Sequence, residues 1–467
     1  MEDSRLLAAC CIACALAGCA APPLRTDVPV VAQPLQWQTP LPHNGSLTDL
    51  SQWWQGLGDP LLVQLVEAAQ GASPSVASAL SRVAQSRAAT VQAAAALLPT
   101  LDGSASAVRG TTQVAMPVAT TVQAALQASW EADLFGANRR ASEAAQARLE
   151  SAQAQWHDAR VAVAAEVAHR YFGQRACEQQ AAITRLDADS QSRSSRLQAL
   201  SSQAGFTAPA SAALARASAA EASSRATQQR ALCALDAHAL AALTGWPVTE
   251  LQQKLAAAPL DLAPAAAITI TSVPAQALGQ RPDLFSAQRE VAAAAADAGA
   301  AEAQRYPRLG LSGSIGAARY RVGAASDNLA SWSIGPLTLS VPLFDGGRQA
   351  ASVQAAQARY EEAVFLYQAR ARQAVREVEE ALVKLQSTAA RSDDASQADQ
   401  GYRAWLRATE ARFEGGLANQ MELEETRRTA LAAANALVAL RRERIQAWVA
   451  LYRVVGGGWE QPPATGP

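Results

Sequence analysis

Histidines, cysteines and one patch of clustered charge are the residues of this chain with the most chemistry to offer. His43, His157, His169 and His238 form no i, i+4 pair, and none has cysteines or carboxylates beside it at metal-ligand spacing. No glycine-rich phosphate loop follows a strand pattern, and Phe344-Asp345-Gly346 lacks any companion kinase element. An enzyme is therefore not expected, nor a metal site. The charged patch begins at Glu422 and includes Glu424, Glu425, Arg427 and Arg428. Asn419 stands three residues before Glu422, the spacing of a capping box, in which an N-cap and a glutamate satisfy each other's backbone donors. Arg427 and Arg428 read as solvated helix charges.

The six cysteines divide into two groups. Near the N-terminus, Arg5 and an apolar run lead into Leu16-Ala17-Gly18-Cys19, a segment too short to span a bilayer and closed by small residues. This resembles a bacterial lipobox, which implies that residues 1–18 are a signal peptide and that Cys19 carries covalent lipid, an S-diacylglycerol and an N-palmitoyl chain. Ala20, where an aspartate would favour the inner membrane, implies the outer membrane by the same resemblance. An ordinary signal peptide with an incidental cysteine is the alternative. The body of the chain keeps Cys177 and Cys233, each 28 residues from Gly205. They fall at one height if Gly205 is a hairpin tip, but helix axes about 8–10 Å apart often hold Cα atoms beyond disulfide reach. Two buried free thiols are expected, with a bond as the alternative.

Composition narrows the class. With 17% charged residues and a net charge of −1, no concentrated Lys/Arg face exists to neutralise phosphates, so no nucleic acid is expected as a partner. Alanine-rich periodic stretches suit long helices whose backbones lie close together.

The elements that must position these residues are written twice. Pro74 and Pro99 recur as Pro282 and Pro307, Phe135 and Arg139 as Phe344 and Arg348, and Gly205 and Gly245 as Gly416 and Gly456. The reading is a proline-rich tether over 19–50, a first repeat over 51–246, a connector over 247–274, a second repeat over 275–458 and a tail over 459–467. Each repeat holds a helix, a β-ribbon (100–133 and 308–343) and a helical hairpin with its tip near residue 205 or 416. In the ribbons Val122, Leu126 and Trp130 alternate with polar residues, as do Leu309, Leu311 and Ile315; at Gly335-Pro336 the phase slips, as at a bulge. Strands of this length cross a bilayer at a tilt, and a membrane sheet must close. Four strands cannot enclose a lumen, whereas three copies supply twelve. The predicted fold class is mainly α with membrane β.

The set of motifs resembles the TolC-like outer-membrane efflux proteins, in the lipidated NodT-type branch that serves resistance-nodulation-division pumps. The stretches that carry the resemblance are Trp54 through Asp59-Pro60-Leu61, Leu134-Phe135-Gly136 with Arg139, and Arg281-Pro282-Asp283-Leu284. To these add Pro342-Leu343-Phe344-Asp345-Gly346-Gly347-Arg348 and Leu451-Tyr452 with Gly456-Gly457-Gly458-Trp459. The resemblance implies a homotrimer with a twelve-stranded outer-membrane barrel and a periplasmic helical tunnel. Its implied partners are a periplasmic adaptor and an inner-membrane pump, and its implied function is passive exit of pumped substrates. A type I protein-secretion duct and a periplasmic coiled-coil scaffold are the alternatives.

The same resemblance implies roles for single residues. Glu422 and Glu425 occupy the places of acidic residues in a periplasmic constriction, with Met421 beside them and Arg428 at a position that can tie neighbouring helices shut. For Glu422 the helix-cap reading stays equally open. The tips, Gly205, Phe206, Thr207, Gly415, Gly416 and Leu417, are implied to meet the adaptor. Trp130, Trp332 and Tyr320 read as an interfacial aromatic belt, with strand-end aromatics packed on protein as the alternative.

Overall fold

The computed structural model describes Trp54 and residues 59–111, 117–257, 278 and 280–459. Cys19, the tether and most of the connector lie outside the described residues. Twelve elements follow in chain order: α1 Pro60–Ala72, α2 Pro74–Ala95, β1 Thr100–Gly110, β2 Ala119–Ala132, α3 Ala137–Gln203, α4 Pro209–Thr244, α5 Val248–Ala257, α6 Pro282–Ala303, β3 Arg308–Val322, β4 Ala325–Ser340, α7 Arg348–Glu414 and α8 Gln420–Val454. Among the described residues no single helix is long and apolar enough to cross a membrane. The chain divides into two compact units, each drawing on both copies of the repeat.

One unit, built from 81–153 and 286–369, holds the sheet. Its four strands are antiparallel in the order β1-β2-β3-β4, so β2 of the first copy pairs directly with β3 of the second. Opposite Ser312, β4 spends two residues, Gly335 and Pro336, where β3 spends one. This bulge is the phase slip read from the sequence, and it returns Leu337 and Leu339 to the face that holds Ile334 and Trp332. At each strand-to-helix corner an aspartate caps the departing helix. Asp133 accepts from the Asn138 and Arg139 amides at 3.1 and 2.9 Å, and Asp345 accepts from Gly347 and Gln349, both at 2.9 Å. Those amide bonds, with Gln349 foremost, hold the Asp345 carboxyl below its ordinary pKa.

In the other unit the core forms around Leu62, Leu65, Leu240, Leu251, Trp448 and Leu451, all nearly inaccessible. Asp59 starts α1 by accepting the Leu61 and Leu62 amides at 3.0 and 3.2 Å, and its second oxygen accepts the Tyr171 hydroxyl. Trp54 packs edge-on against Tyr452, with centroids 4.6 Å apart. Arg281, buried, donates to Asp283, Glu377 and the Val454 carbonyl, each at 2.9 Å. The motif residues at both ends of the chain thus tie one set of helices together.

The expectation of free thiols is corrected here: Cys177 and Cys233 form a disulfide between α3 and α4, with Cα atoms 5.5 Å apart. The buried face of α4 explains the close approach, since Ala222, Ala226, Ala237 and Ala241 carry most of it. Alanine lets backbones come nearer than the usual helix spacing allows.

Candidate functional site

At the first hairpin tip α3 ends on Gly205, in the left-handed region at φ +79°. The Gly205 amide donates to the Ser202 carbonyl at 3.1 Å and Phe206 to Ser201 at 2.9 Å, the paired bonds of a Schellman turn. Ala208 is the N-cap of α4, without a side-chain cap, and Pro209 opens the helix. Phe206 is 84% exposed, and Thr207 is half-buried.

The second tip repeats that backbone. Gly416 has φ +75°, its amide donates to Phe413 at 3.0 Å, and Leu417 donates to Arg412 at 2.7 Å. Gly415 precedes it, bonded to the Ala411 carbonyl at 3.0 Å, while Leu417 and Met421 stand exposed. The following helix begins differently: Asn419 accepts the Glu422 amide at 2.9 Å, a true N-cap. The reciprocal arm of a capping box is replaced, because the Glu422 carboxylate accepts Arg412 at 2.7 Å. Arg412 also donates to the Leu417 carbonyl at 3.1 Å and so clasps the turn from inside.

Just beyond, a charged cluster joins three helices. Glu424 is buried on α8 and accepts Ser190 of α3, Gln420 at 3.0 Å and Arg427 at 2.8 Å. Arg427 reaches Glu410 of α7 at 3.1 Å as well. The solvated reading of Arg427 is therefore corrected. Leu423, Glu424 and Thr426 face inward, so a charge at 424 needs a partner one turn away, and Arg427 is that partner. Glu425 and Arg428 are exposed on another face, and among the described residues neither makes an ion pair. Sequence reading passed over Arg412, Glu410 and Ser190; only the i, i+3 spacing of Glu424 and Arg427 offered a local signal.

The sheet supplies the second candidate surface. Cross-strand partners share a face, so register fixes which residues stand together. Ala105, Ala124, Ala317 and Ala330 form one row; Gly103, Leu126, Ile315 and Trp332 the next; Leu101, Ala128, Gly313 and Ile334 the one after. Trp130, Leu311 and Leu337 follow, then Ala132, Leu309 and Leu339. No polar side chain interrupts these five rows. The reverse face carries Ser104, Gln123, Gln127, Ser314 and Ser333, and it also carries Tyr320, on the opposite side from Trp130 and Trp332. Most large apolar side chains of the first face, Leu101, Leu126, Ile315, Trp332 and Leu339 among them, are exposed, and Leu309 is half-buried.

Residues 65–246 and 273–457 match the family described as outer membrane efflux protein, in two segments that follow the two copies of the repeat. The chain belongs to the outer membrane efflux protein family. It is 30% identical to the pyoverdine export outer membrane protein OpmQ of Pseudomonas aeruginosa, over 98% of both chains. Nodulation protein T of Rhizobium leguminosarum bv. trifolii is 28% identical over 89% of each. The solved outer-membrane channel OprN superposes with a TM-score of 0.76 at 27% identity, covering 93% of this chain and 99% of that one. An efflux protein is a conduit and not an enzyme.

Proposed function

We propose that this efflux protein is the outer-membrane exit channel of a tripartite pump, a homotrimer whose twelve strands close one β-barrel and whose hairpins wall a periplasmic tunnel. The observation that carries the reading is the open sheet: β1 and β4 leave unpaired edges beside five unbroken apolar rows. Unpaired backbone in hydrocarbon costs several kcal/mol per group, and closure across three chains removes every edge. Gentle detergent extraction should yield a heat-modifiable trimer by native mass measurement; a stable monomer would overturn the barrel.

An inner-membrane transporter and a periplasmic adaptor supply the energised steps, and the channel conducts passively. Likeness to OpmQ, named for pyoverdine export, supports a small secreted compound as cargo rather than a polypeptide. Phe206 and Leu417 expose apolar side chains at corresponding tip positions, which supports adaptor contact there. Phe206→Ala combined with Leu417→Ala should weaken adaptor capture while the trimer persists. Cys19 carries the lipid anchor, so Cys19→Ser should abolish palmitate labelling; persistent labelling would disprove the assignment.

Glu422 and Glu425, three residues apart on α8, would form acidic rings under threefold symmetry, with Met421 and Arg428 beside them. The freedom of Glu425 and Arg428 from ion pairs among the described residues supports a role between chains. Glu425→Ala with Arg428→Ala should raise single-channel conductance and weaken divalent-cation block. Parental conductance and block in that double variant would place the constriction elsewhere.

A further inference from the structure

The apolar face of the sheet ends abruptly at its loop end. Beyond the alanine row stands Ala107, Val122, Arg319 and Asn328, and beyond that Arg109, Thr120, Arg321 and Ser326. Three arginines on two strands, β1 and β3, therefore share the face that carries Leu126, Ile315 and Trp332, and they are confined to its last two rows. All three are exposed. Among the described residues none of them makes an ion pair, and the contact Arg321 does make is a 3.4 Å bond from its Nε to the Gly323 carbonyl.

Among the described residues nothing at this end of the ribbon answers their charge. The connecting segments, 111–118 and Gly323-Ala324, contain no acidic residue, and Asp327, across from Tyr320, belongs to the reverse face. Solubility does not explain them, since the same end is already polar through Thr120, Ser326 and Asn328. An arginine on the outside of a barrel costs about 2–4 kcal/mol at the bilayer midplane and about 0–1 near the interface. The five apolar rows run nine residues along β2, from Ala124 to Ala132, or about 30 Å at ~3.3 Å per residue. At the usual tilt that length covers an apolar band about 25 Å tall, and the next row outward is the first with an arginine.

We infer that Arg109, Arg319 and Arg321 form a guanidinium rim that binds the phosphate groups of anionic lipid headgroups in the outer leaflet around the barrel. The inference rests on the barrel reading above: the helices occupy one end of the strands, so the loop end is the end away from the periplasm. Guanidinium forks match phosphate oxygens in pairs, and the long side chains reach from the apolar rows to the headgroup level. Charge complementarity selects a phosphorylated lipid over a neutral one, and the apolar rows beneath accommodate its acyl chains. Three chains would place nine arginines around the circumference.

The test uses the purified full-length protein in a non-ionic detergent. Native mass measurement follows titration with bis-phosphorylated lipid A and with the same lipid stripped of phosphate. At about five-fold per guanidinium, the parent trimer should retain the phosphorylated lipid about a hundred-fold better than its dephosphorylated counterpart. Arg109→Gln, Arg319→Gln and Arg321→Gln together should abolish that preference, and each alone should reduce it about five-fold. Arg308→Gln, on the reverse face at the opposite end of β3, should leave it unchanged. The triple lysine variant, which keeps the charge and guards against a folding defect, should retain most of it. A trimer without the preference, or a triple glutamine variant that keeps it, overturns the rim and leaves the barrel standing. Displacement of the lipid by inorganic phosphate would make this a free-anion site and overturn the lipid assignment. A monomer at every lipid concentration overturns the rim and the barrel together, and the mass distinguishes the two failures.

Discussion

At the first tip Gly205 stands at the C-terminal end of α3, and α4 starts from a bare Ala208 with Pro209 behind it. At the second, Gly416 ends α7 with the same pair of backbone bonds, but Asn419 caps α8, Arg412 clasps the turn, and Arg427 joins Glu424 to Glu410. The turn is a property of glycine and of helix ends. What fastens the returning helix is independent of it. The first hairpin is tied covalently, far from its tip, by Cys177 and Cys233, with Arg225 and Asp187 paired at 3.2 Å between the disulfide and the tip; the second is tied close to its tip by Arg427 and Glu410.

The largest effect should come from the covalent tie. The bond spans 56 residues of chain, for which the loop-entropy argument gives about 4 kcal/mol. Cys177→Ala with Cys233→Ala should therefore speed amide exchange in α4 and at Phe206 while exchange around Leu417 stays at the parental rate. If both tips loosen equally, the two hairpins are not fastened separately.

Arg427→Ala sharpens the same contrast from the other side. Removing one partner leaves Glu424 buried and uncompensated, a loss of about 3 kcal/mol. Exchange protection should fall by about a hundred-fold in the first turns of α8 and not at all in α4. A smaller step is Asn419→Ala, which removes the cap on the Glu422 amide and should cost about 1 kcal/mol, read as fraying of α8 alone. The Arg412–Glu422 pair is half-exposed and should change stability by less than that.

The smallest effect lies at the corners. The Asp345 carboxyl is held below its ordinary value of 3.8, so the stability it contributes is present above that pH and lost as pH falls through its folded-state pKa. Asp345→Asn should loosen the start of α7, seen by limited proteolysis above about pH 4, and the variant and parent should converge as acid protonates the native carboxyl.

Much of this was legible because it is local. Period-two alternation gave the strand faces, and the break in phase at Gly335-Pro336 marked the bulge. Gly205 and Gly416 marked the tips because a left-handed turn has few other residue choices. Asn419 was legible as a cap from its spacing to Glu422. The Ser190–Glu424–Glu410 cluster was not, since its members come from three helices and no spacing in one segment announces a partner in another. The disulfide depends on a related non-local quantity: the usual helix spacing does not favour it, and the alanines of α4 permit a closer one. Residue type alone does not say which face an aromatic takes: Tyr320 shares its parity in β3 with Ser312 and Ser314 and stands on the polar face.

The pairing of β2 with β3 has a consequence in time. The two strands are neighbours in the sheet but are separated by all of α3, α4, α5 and α6 in the chain. At about 5–20 residues per second of synthesis, the first ribbon is complete roughly 10–40 s before β3 exists. Through that interval β2 presents a long edge with no strand to cover it. A nascent copy of this protein therefore holds an open backbone edge, Ala119 to Ala132, that only its own second half can bond.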